Sequence, residues 1–353
     1  MRSWKFWLGM AISAVFLWLA LRGLDLHLFW ETLGQANYWW IVPGVAVYFC
    51  AVWARTWRWH YMLRHIARVP ITRLFPIVVI GYMGNNIYPA RAGEVLRSYV
   101  LRRKEGVAIS ASLATVVLER LFDGLVMLLF VFVTLPFSPL PREYTVLVTI
   151  FSAVFLGALA VFLALATNPR QMSMLYGWFV ERAVPQQFRA QVHGVFDKFI
   201  EGLQSLRSPR DLALIFVSST VIWLTETTKY WVVAFAFPGL HVPFTVLMLM
   251  TAVVNLATTL PSTPGYVGTF DAPGIAILKS YGVAGALATG YTLVLHVALW
   301  LPITLLGGLF MLLEQVGWKD MGRAAEIKQS LETATADARS AAAAPIVGHQ
   351  SPE

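Results

Sequence analysis

The organisation of the chain follows from one stretch, residues 84–103, which reads GNNIYPARAGEVLRSYVLRR. It lies between two apolar runs, which places it in or near a membrane, yet it carries amides, a proline, an acid and several arginines. A charged side chain at the centre of a bilayer costs roughly 2.5–3.5 kcal/mol on insertion scales. Arg91, Glu94 and Arg97 are three residues apart and would share one face of a helix. This plus-minus-plus row suits an anionic head group in a wet or protein-lined cavity.

The composition predicts a polytopic membrane protein. Of 353 residues, 58% are hydrophobic and 13% are charged, whereas a soluble domain has about 25% charged residues. The net charge of +8 is concentrated in a few connections, which indicates a topology signal and contact with an anionic lipid surface rather than with nucleic acid. Patterns typical of a nucleotide-binding loop, a metal site or a catalytic triad are missing from the sequence. We therefore expect no cofactor, no metal and no catalytic residue, and we do not expect an enzyme.

The apolar segments form two similar series of elements. Each series contains a span, a second span, a broken apolar segment and a final span, in the order 4–21, 39–53, 74–88 and 113–135, then 146–167, 212–237, 244–260 and 286–313. Arginines at 55–73 form a basic connection between spans. By the positive-inside rule, this connection and both termini are cytoplasmic.

The predicted fold is an all-α membrane protein with six full spans and two re-entrant broken hairpins that enter from opposite faces. This is the pattern of an inverted repeat, with halves at about 4–135 and 145–315. The alternative is eight or more ordinary spans, with each broken segment crossing the membrane. A transmembrane domain is expected over 1–320, including a cytoplasmic amphipathic helix at 172–206, and a disordered Ala-rich cytoplasmic tail over 321–353.

Charged and backbone-breaking residues fall inside the predicted spans or directly after the two broken segments. The candidate substrate-binding residues are Asn86, Arg91, Glu94, Arg97, Glu119, Arg120, Asp123, Glu226, Lys229 and Asp271. The candidate hairpin tips are shaped by Pro89, Gly93, Pro261, Pro264, Gly265 and Gly268. Two alternatives stay open, since Glu119–Asp123 could form a structural ion-pair network and Glu226 and Lys229 could simply neutralise each other. Glu226 and Asp271 are also candidates for proton coupling.

Three motifs carry a resemblance to a known family: the stretch from Asn86 to Arg97, the Glu119-Arg120-x-x-Asp123 group, and Pro264-Gly265-x-x-Gly268-x-x-Asp271. Together they resemble the flippase-like integral membrane family, also called the lysylphosphatidylglycerol synthase transmembrane region, over residues 5–315. The resemblance implies movement of lipids between leaflets. Asp271 stands where a glutamate is expected, which keeps the charge and changes its reach.

The resemblance does not imply lysyl transfer, because no sequence resembling the soluble aminoacyl-transfer domain follows the last predicted span. Stand-alone members are implied to act on a lipid made by another enzyme, some of them in hopanoid pathways. A lipid-synthesising enzyme is therefore an expected partner.

These observations predict a lipid translocase of the bacterial inner membrane that moves an anionic or modified lipid. Arg91 and Arg97 would hold the phosphate, Glu94 and Asp123 would orient them, and Arg120 would line the path. One alternative is a membrane transferase that uses Glu94 or Glu119 as a base, or an accessory subunit of a lipid-modifying, hopanoid or glycolipid biosynthetic enzyme. A third is a scaffold for a partner synthase.

Overall fold

A computed structural model describes residues 22–88, 92–137, 208–259 and 263–317, together with isolated positions elsewhere. The all-helical prediction is confirmed for these residues, which form nine α-helices and two short 3₁₀ turns and contain no strand. The helices are α1 (Leu26–Gln35), α2 (Ile41–Leu63), α3 (Ile71–Ile87), α4 (Gly93–Glu105), α5 (Ile109–Thr134), α6 (Pro209–Ala234), α7 (Phe244–Ala257), α8 (Asp271–Ser280) and α9 (Gly285–Leu313).

Several predictions fall outside the described residues, apart from isolated positions. They are the first span at 4–21, the span at 146–167, the amphipathic helix at 172–206, the tail at 321–353, and the side chains of Pro89, Arg91 and Pro261. These remain predictions.

Helix α1 occupies most of residues 23–38, the interval between the first two predicted spans. The Asp25 carboxylate caps the helix by accepting hydrogen bonds from the backbone N–H groups of His27, at 2.9 Å, and Leu28, at 3.1 Å. Such a cap satisfies N–H groups that have no partner within the helix. The helix contains no buried residue.

Helix α2 continues ten residues beyond the predicted end of the second span at Trp53. Arg55 and Arg58 are therefore buried helix residues, and their assignment to a basic cytoplasmic connection is wrong. The physical reason is that acidic residues on other helices neutralise both guanidinium groups, as described below. Charge alone does not exclude a residue from the interior when a partner is available there.

One helix of the described part, α9, is long and apolar enough to span a bilayer by length and composition. Helices α2, α5 and α6 have 23, 26 and 26 residues, and a bilayer core needs about 20. They carry the buried charged side chains that lower their hydropathy.

The packing of the helices has an internal symmetry. Helix α2 packs extensively against α6, α3 packs against α9, and α7 packs against α5. Helices α3 and α4 pack together as hairpin 1, and α7 and α8 pack together as hairpin 2. The four helices α2–α5 correspond in order to the four helices α6–α9. When the two series are exchanged, the α3–α9 contact becomes the α7–α5 contact, hairpin 1 becomes hairpin 2, and the α2–α6 contact is unchanged. Each hairpin therefore packs against the final helix of the other series.

The two hairpins open toward opposite ends of the bundle. At one end, Arg73 near the start of α3 pairs with Glu105 at the end of α4, at 3.4 Å, and Lys104 pairs with Glu314 just after α9. At the other end, the Asn37 N–H before α2 donates to the carbonyl oxygen of Ala236 after α6, at 2.7 Å. Helix α7 begins at this second end, eight residues after Ala236.

A polar clamp closes the first end of the bundle around Asp320. Its carboxylate accepts hydrogen bonds from Tyr99, at 3.1 Å, and from the backbone N–H of Gly317, at 2.9 Å, and it pairs with Arg103 at 2.7 Å. Burial acts to raise the pKa of Asp320, but the Gly317 N–H, Tyr99 and Arg103 together hold this pKa below its usual range. The clamp ties hairpin 1 to the segment that follows α9.

Glycine permits the close approach of α3 and α4. A Cβ atom on Gly93 would lie 1.9 Å from the carbonyl oxygen of Gly81, which no side chain can tolerate. Small residues commonly allow this kind of backbone contact between membrane helices. Gly93 thus lies at the tip region of hairpin 1, where the sequence places it.

Candidate functional site

A polar cavity of about 160 Å³ lies where the two hairpin tips meet the α2–α6 pair. The tips are close together, because a Cβ atom on Gly265 would lie 3.6 Å from the carbonyl oxygen of Asn86. The lining combines charged, amide and aromatic side chains: Tyr48, Arg55, Tyr82, Asn85, Asn86, Arg120, Trp223, Glu226, Lys229, Tyr230, Val254, Asn255, Thr258, Gly265, Tyr266, Phe270, His296, Leu299 and Trp300. We call this the central cavity.

The first group of charges beside the cavity is the Arg55 cluster, formed by Arg55, Glu226 and Lys229. The Arg55 guanidinium and the Lys229 ammonium each donate to a different oxygen of the Glu226 carboxylate. Aromatic faces support both cations, since Arg55 lies 4.8 Å from the Trp223 ring centroid and Lys229 lies 4.5 Å from that of Tyr48. Cation–π attraction strengthens in such a desolvated setting.

The second group is the Asp123 network, which joins α2, α4 and α5 and consists of Arg58, Glu94, Arg97, Glu119, Arg120 and Asp123. Arg58 donates to Asp123 at 2.6 Å and lies 3.7 Å from Glu119. Arg97 pairs with Glu119. The Trp223 indole N–H adds a hydrogen bond to Asp123 at 2.9 Å, which links the network to the Arg55 cluster through α6.

Glu94 and Arg97 pair across to α5. Arg120 lies 2.8 Å from Glu94, and Arg97 contacts Glu119. The buried arginine Arg97 is 6% exposed, so it is held by its carboxylate partner and by the Trp59 ring, whose centroid lies 4.7 Å from the guanidinium carbon. This arrangement gives hairpin 1 a fixed attachment to α5.

The tip of hairpin 2 is held by His296 on α9. Its Nδ1 lies 2.8 Å from the Asp271 carboxylate, and its Nε2 lies 2.7 Å from the carbonyl oxygen of Gly265. Gly265 and Tyr266 are consecutive residues with positive φ, +73° and +60°, and a left-handed tyrosine is an unfavourable conformation. Asp271 also accepts the Gly268 N–H at 2.9 Å, which closes the turn before α8.

The tip of hairpin 1 is held by the same helix. The Asn86 side-chain amide donates to the Thr304 hydroxyl at 2.8 Å and to the Trp300 carbonyl oxygen at 3.3 Å. Because Trp300 also approaches Gly265, α9 contacts both tips at one level of the bundle.

The structure brings most of the predicted residues into two connected groups. Glu94, Arg97, Glu119, Arg120 and Asp123 form the network, and Glu226 and Lys229 form the cluster with Arg55. The residues Asn86, Pro264, Gly265, Gly268 and Asp271 belong to the tips or their contacts, and Gly93 lies beside hairpin 1's tip. The proposed phosphate ligand Arg91 lies outside the described residues.

Among the arginines and histidines of the site, sequence reasoning missed Arg55, Arg58 and His296. Arg55 and Arg58 are three residues apart, which places both on one helical face, and this spacing could have marked them. His296 lies in an uninterrupted apolar run and gives no comparable signal.

Comparison with known proteins assigns the chain to a family. Residues 6–307 match the family described as the lysylphosphatidylglycerol synthase TM region. The chain belongs to this family. The resemblance stated from the sequence is thereby confirmed, and the chain is a membrane protein of the lysylphosphatidylglycerol synthase transmembrane-region family.

Individual proteins are similar to this chain over about three quarters of its length. A UPF0104 membrane protein of Methanothermobacter thermautotrophicus is 25% identical over 289 residues, which cover 77% of this chain and 83% of the relative. The protein named glycosyltransferase AglD of Haloferax volcanii is 26% identical over 298 residues, which cover 76% of this chain but 48% of AglD. The similarity to AglD therefore concerns about half of that protein.

Proposed function

We propose that this family member is a lipid translocase that passes a polar lipid head group through the central cavity. The observation that carries the proposal is the position of the cavity, between both hairpin tips and the α2–α6 pair, with Arg55, Arg120 and Lys229 in its lining. Charged groups inside a bilayer are costly and face a polar path or one another. In this proposal the acyl chains stay in the bilayer while the head group crosses.

The proposed topology is an inverted repeat of six spans and two re-entrant hairpins. The symmetric packing of the helices supports it, as does the opening of hairpins 1 and 2 toward opposite ends of the bundle. In transporters of this type, rocking of one half against the other alternates access to a site near the midplane.

The proposed location is the bacterial inner membrane, with both termini in the cytoplasm. Arg64, Arg73, Arg103 and Lys104 lie at the end of the bundle where α2 and α4 finish. Cytoplasmic ends of spans typically carry such an excess of arginine and lysine.

A leaflet-accessibility assay tests translocation. Purified protein is reconstituted in liposomes that carry a trace of fluorescent phosphatidylglycerol in both leaflets, and a membrane-impermeant quencher reports the fraction that reaches the outside. Wild-type protein should bring lipid from the inner leaflet to the outside, and Arg120→Gln should slow this movement. The Arg73 side chain is 67% exposed, so the control variant Arg73→Gln should move lipid at the wild-type rate. Protein-free liposomes and wild-type liposomes that quench to the same extent would overturn the proposal.

The name of one relative favours a second candidate function. Because AglD is named a glycosyltransferase, this chain could serve as the membrane region of a lipid-modifying transferase, or as the partner of a separate lipid-synthesising enzyme. A transferase would form product in detergent, where no leaflets exist, whereas a translocase would not. Product formation by the purified chain with a lipid-linked donor would favour this candidate.

A further inference from the structure

We propose that the central cavity binds a phosphodiester monoanion between Arg55 and Lys229. This inference rests on the proposed function and names the chemistry of its site. It moves the phosphate away from the arginines of hairpin 1, where the sequence places it, to the helix pair that joins the two halves.

The first argument is the balance of charge. Among the described residues, the Asp123 network contains three guanidinium groups, of Arg58, Arg97 and Arg120, and three carboxylates, of Glu94, Glu119 and Asp123. The Arg55 cluster contains two cations and one carboxylate. An excess of one positive charge therefore lies beside the cavity. Burying an unbalanced charge is expensive, so the cluster is completed by an anion.

The nearby carboxylate of Asp271 does not supply that anion. Both ring nitrogens of His296 face acceptors, the Asp271 carboxylate at 2.8 Å and the Gly265 carbonyl oxygen at 2.7 Å. The Asp271 carboxylate is therefore engaged at the tip of hairpin 2, by His296 and by the Gly268 N–H at 2.9 Å. Apart from His296, the other ionisable side chains of the lining are tyrosines and Arg120, which the network already balances, so none of them supplies an anion to the Arg55 cluster.

The second argument is the supply of hydrogen-bond donors. Arg55 directs Nη1 to Glu226, and a guanidinium has five N–H groups in a fork that matches phosphate oxygens. Lys229 contributes an ammonium group from the other side of the same carboxylate. Since Arg55 belongs to α2 and Lys229 to α6, a phosphate held by both would contact the two halves of the repeat.

The size of the excess charge selects the kind of phosphate. A phosphodiester carries one negative charge and neutralises the cluster. A phosphomonoester carries about −1.5 to −2 at pH 7 and would leave the site with excess negative charge. We therefore expect phosphatidylglycerol, which is a phosphodiester, to bind better than phosphatidic acid.

Native mass spectrometry of the purified full-length protein tests this site. The protein in detergent is titrated with phosphatidylglycerol, phosphatidic acid or diacylglycerol, and the bound fraction is measured. Wild type should bind phosphatidylglycerol most tightly, and Lys229→Met should weaken this binding by about tenfold or more, the range for a lost hydrogen bond to a charged group. Lys229→Arg and the control Arg73→Gln should bind like wild type.

A second variant keeps the proposal testable if Lys229→Met does not fold. Arg55→Gln removes the other proposed contact to the phosphate, so it should also weaken phosphatidylglycerol binding by about tenfold or more. Unchanged affinity in Lys229→Met or in Arg55→Gln would overturn the phosphate site even if the liposome assay shows translocation. Weakened binding in Lys229→Met together with no translocation by wild type would uphold the site and reject the translocase.

Discussion

Two adjacent glycines on α9 should respond in opposite ways to the same substitution. A Cβ atom on Gly307 would lie 2.4 Å from Met83 Cβ and 3.1 Å from the carbonyl oxygen of Val79, both on α3. A Cβ atom on Gly308 would meet nothing within 4 Å. The first contact involves atoms fixed to the backbone, so α3 would have to move away from α9.

The magnitudes follow from these distances. Replacing glycine by alanine inside a helix gains roughly 0.5–1 kcal/mol where there is space, and we expect this gain for Gly308→Ala. Overpacking costs typically 1–3 kcal/mol, which exceeds the gain at Gly307. Gly307→Ala should therefore be less stable than Gly308→Ala by about 1–3 kcal/mol, and it should also displace hairpin 1 from α9.

Reversible unfolding measures the difference. Each variant in nonionic detergent is titrated with sodium dodecyl sulfate, and fluorescence from the 14 tryptophans reports the transition. Equal midpoints for the two variants, or a stabilised Gly307→Ala, would show that α3 and α9 do not approach as described.

Three further predictions concern buried charge, the second tip and the first end of the bundle. Asp123→Ala should lower the free energy of unfolding by about 3–5 kcal/mol, because it leaves buried guanidinium groups without their carboxylate. Asp123→Asn should lower it less, and equal losses for the two variants in the sodium dodecyl sulfate titration would contradict the ion-pair argument. Gly265 and Gly239 have φ values of +73° and +88°, so alanine at either position should cost roughly 1–2 kcal/mol in backbone strain. Only Gly265 approaches Trp300 at the cavity. Gly265→Ala should therefore slow lipid exposure in liposomes, whereas Gly239→Ala should not. Because the folded-state pKa of Asp320 is lowered, its carboxylate stabilises the fold at pH values above the unfolded-state pKa of about 3.9. This stabilisation is lost as pH falls through the folded-state pKa. Between about pH 5 and pH 2 the unfolding midpoint should therefore fall less steeply with pH in Asp320→Asn than in wild type, and identical slopes in the two proteins would refute the clamp.

The sequence predicts the breaks in the two hairpins because their causes are local. Asn86 and Pro89, and later Pro264 and Gly265, interrupt apolar runs by composition alone, and irregular backbone at membrane depth is tolerated only inside protein or beside a cavity. The helical class follows equally from composition.

The pairing of the charges could not be predicted because it depends on contacts between distant segments. The sequence assigns Arg55 and Arg58 to a cytoplasmic connection by counting arginines, whereas Glu226 and Asp123, 171 and 65 residues away, determine their place. Likewise, nothing adjacent to Glu94 or Arg97 identifies α5 as the helix that carries their partners. The spacing of residues along one helix shows which charged side chains share a face. Only the packing of the helices shows which other helix that face contacts.

The exchange of packing partners between the two series affects how the protein is made. Hairpin 1 packs against α9, which is synthesised nearly two hundred residues later. At ordinary rates of translation, on the order of ten seconds or more separate them. During this interval hairpin 1 lacks the α9 surface against which it finally packs. The packing of the first series is therefore complete only after the last described helix has been synthesised.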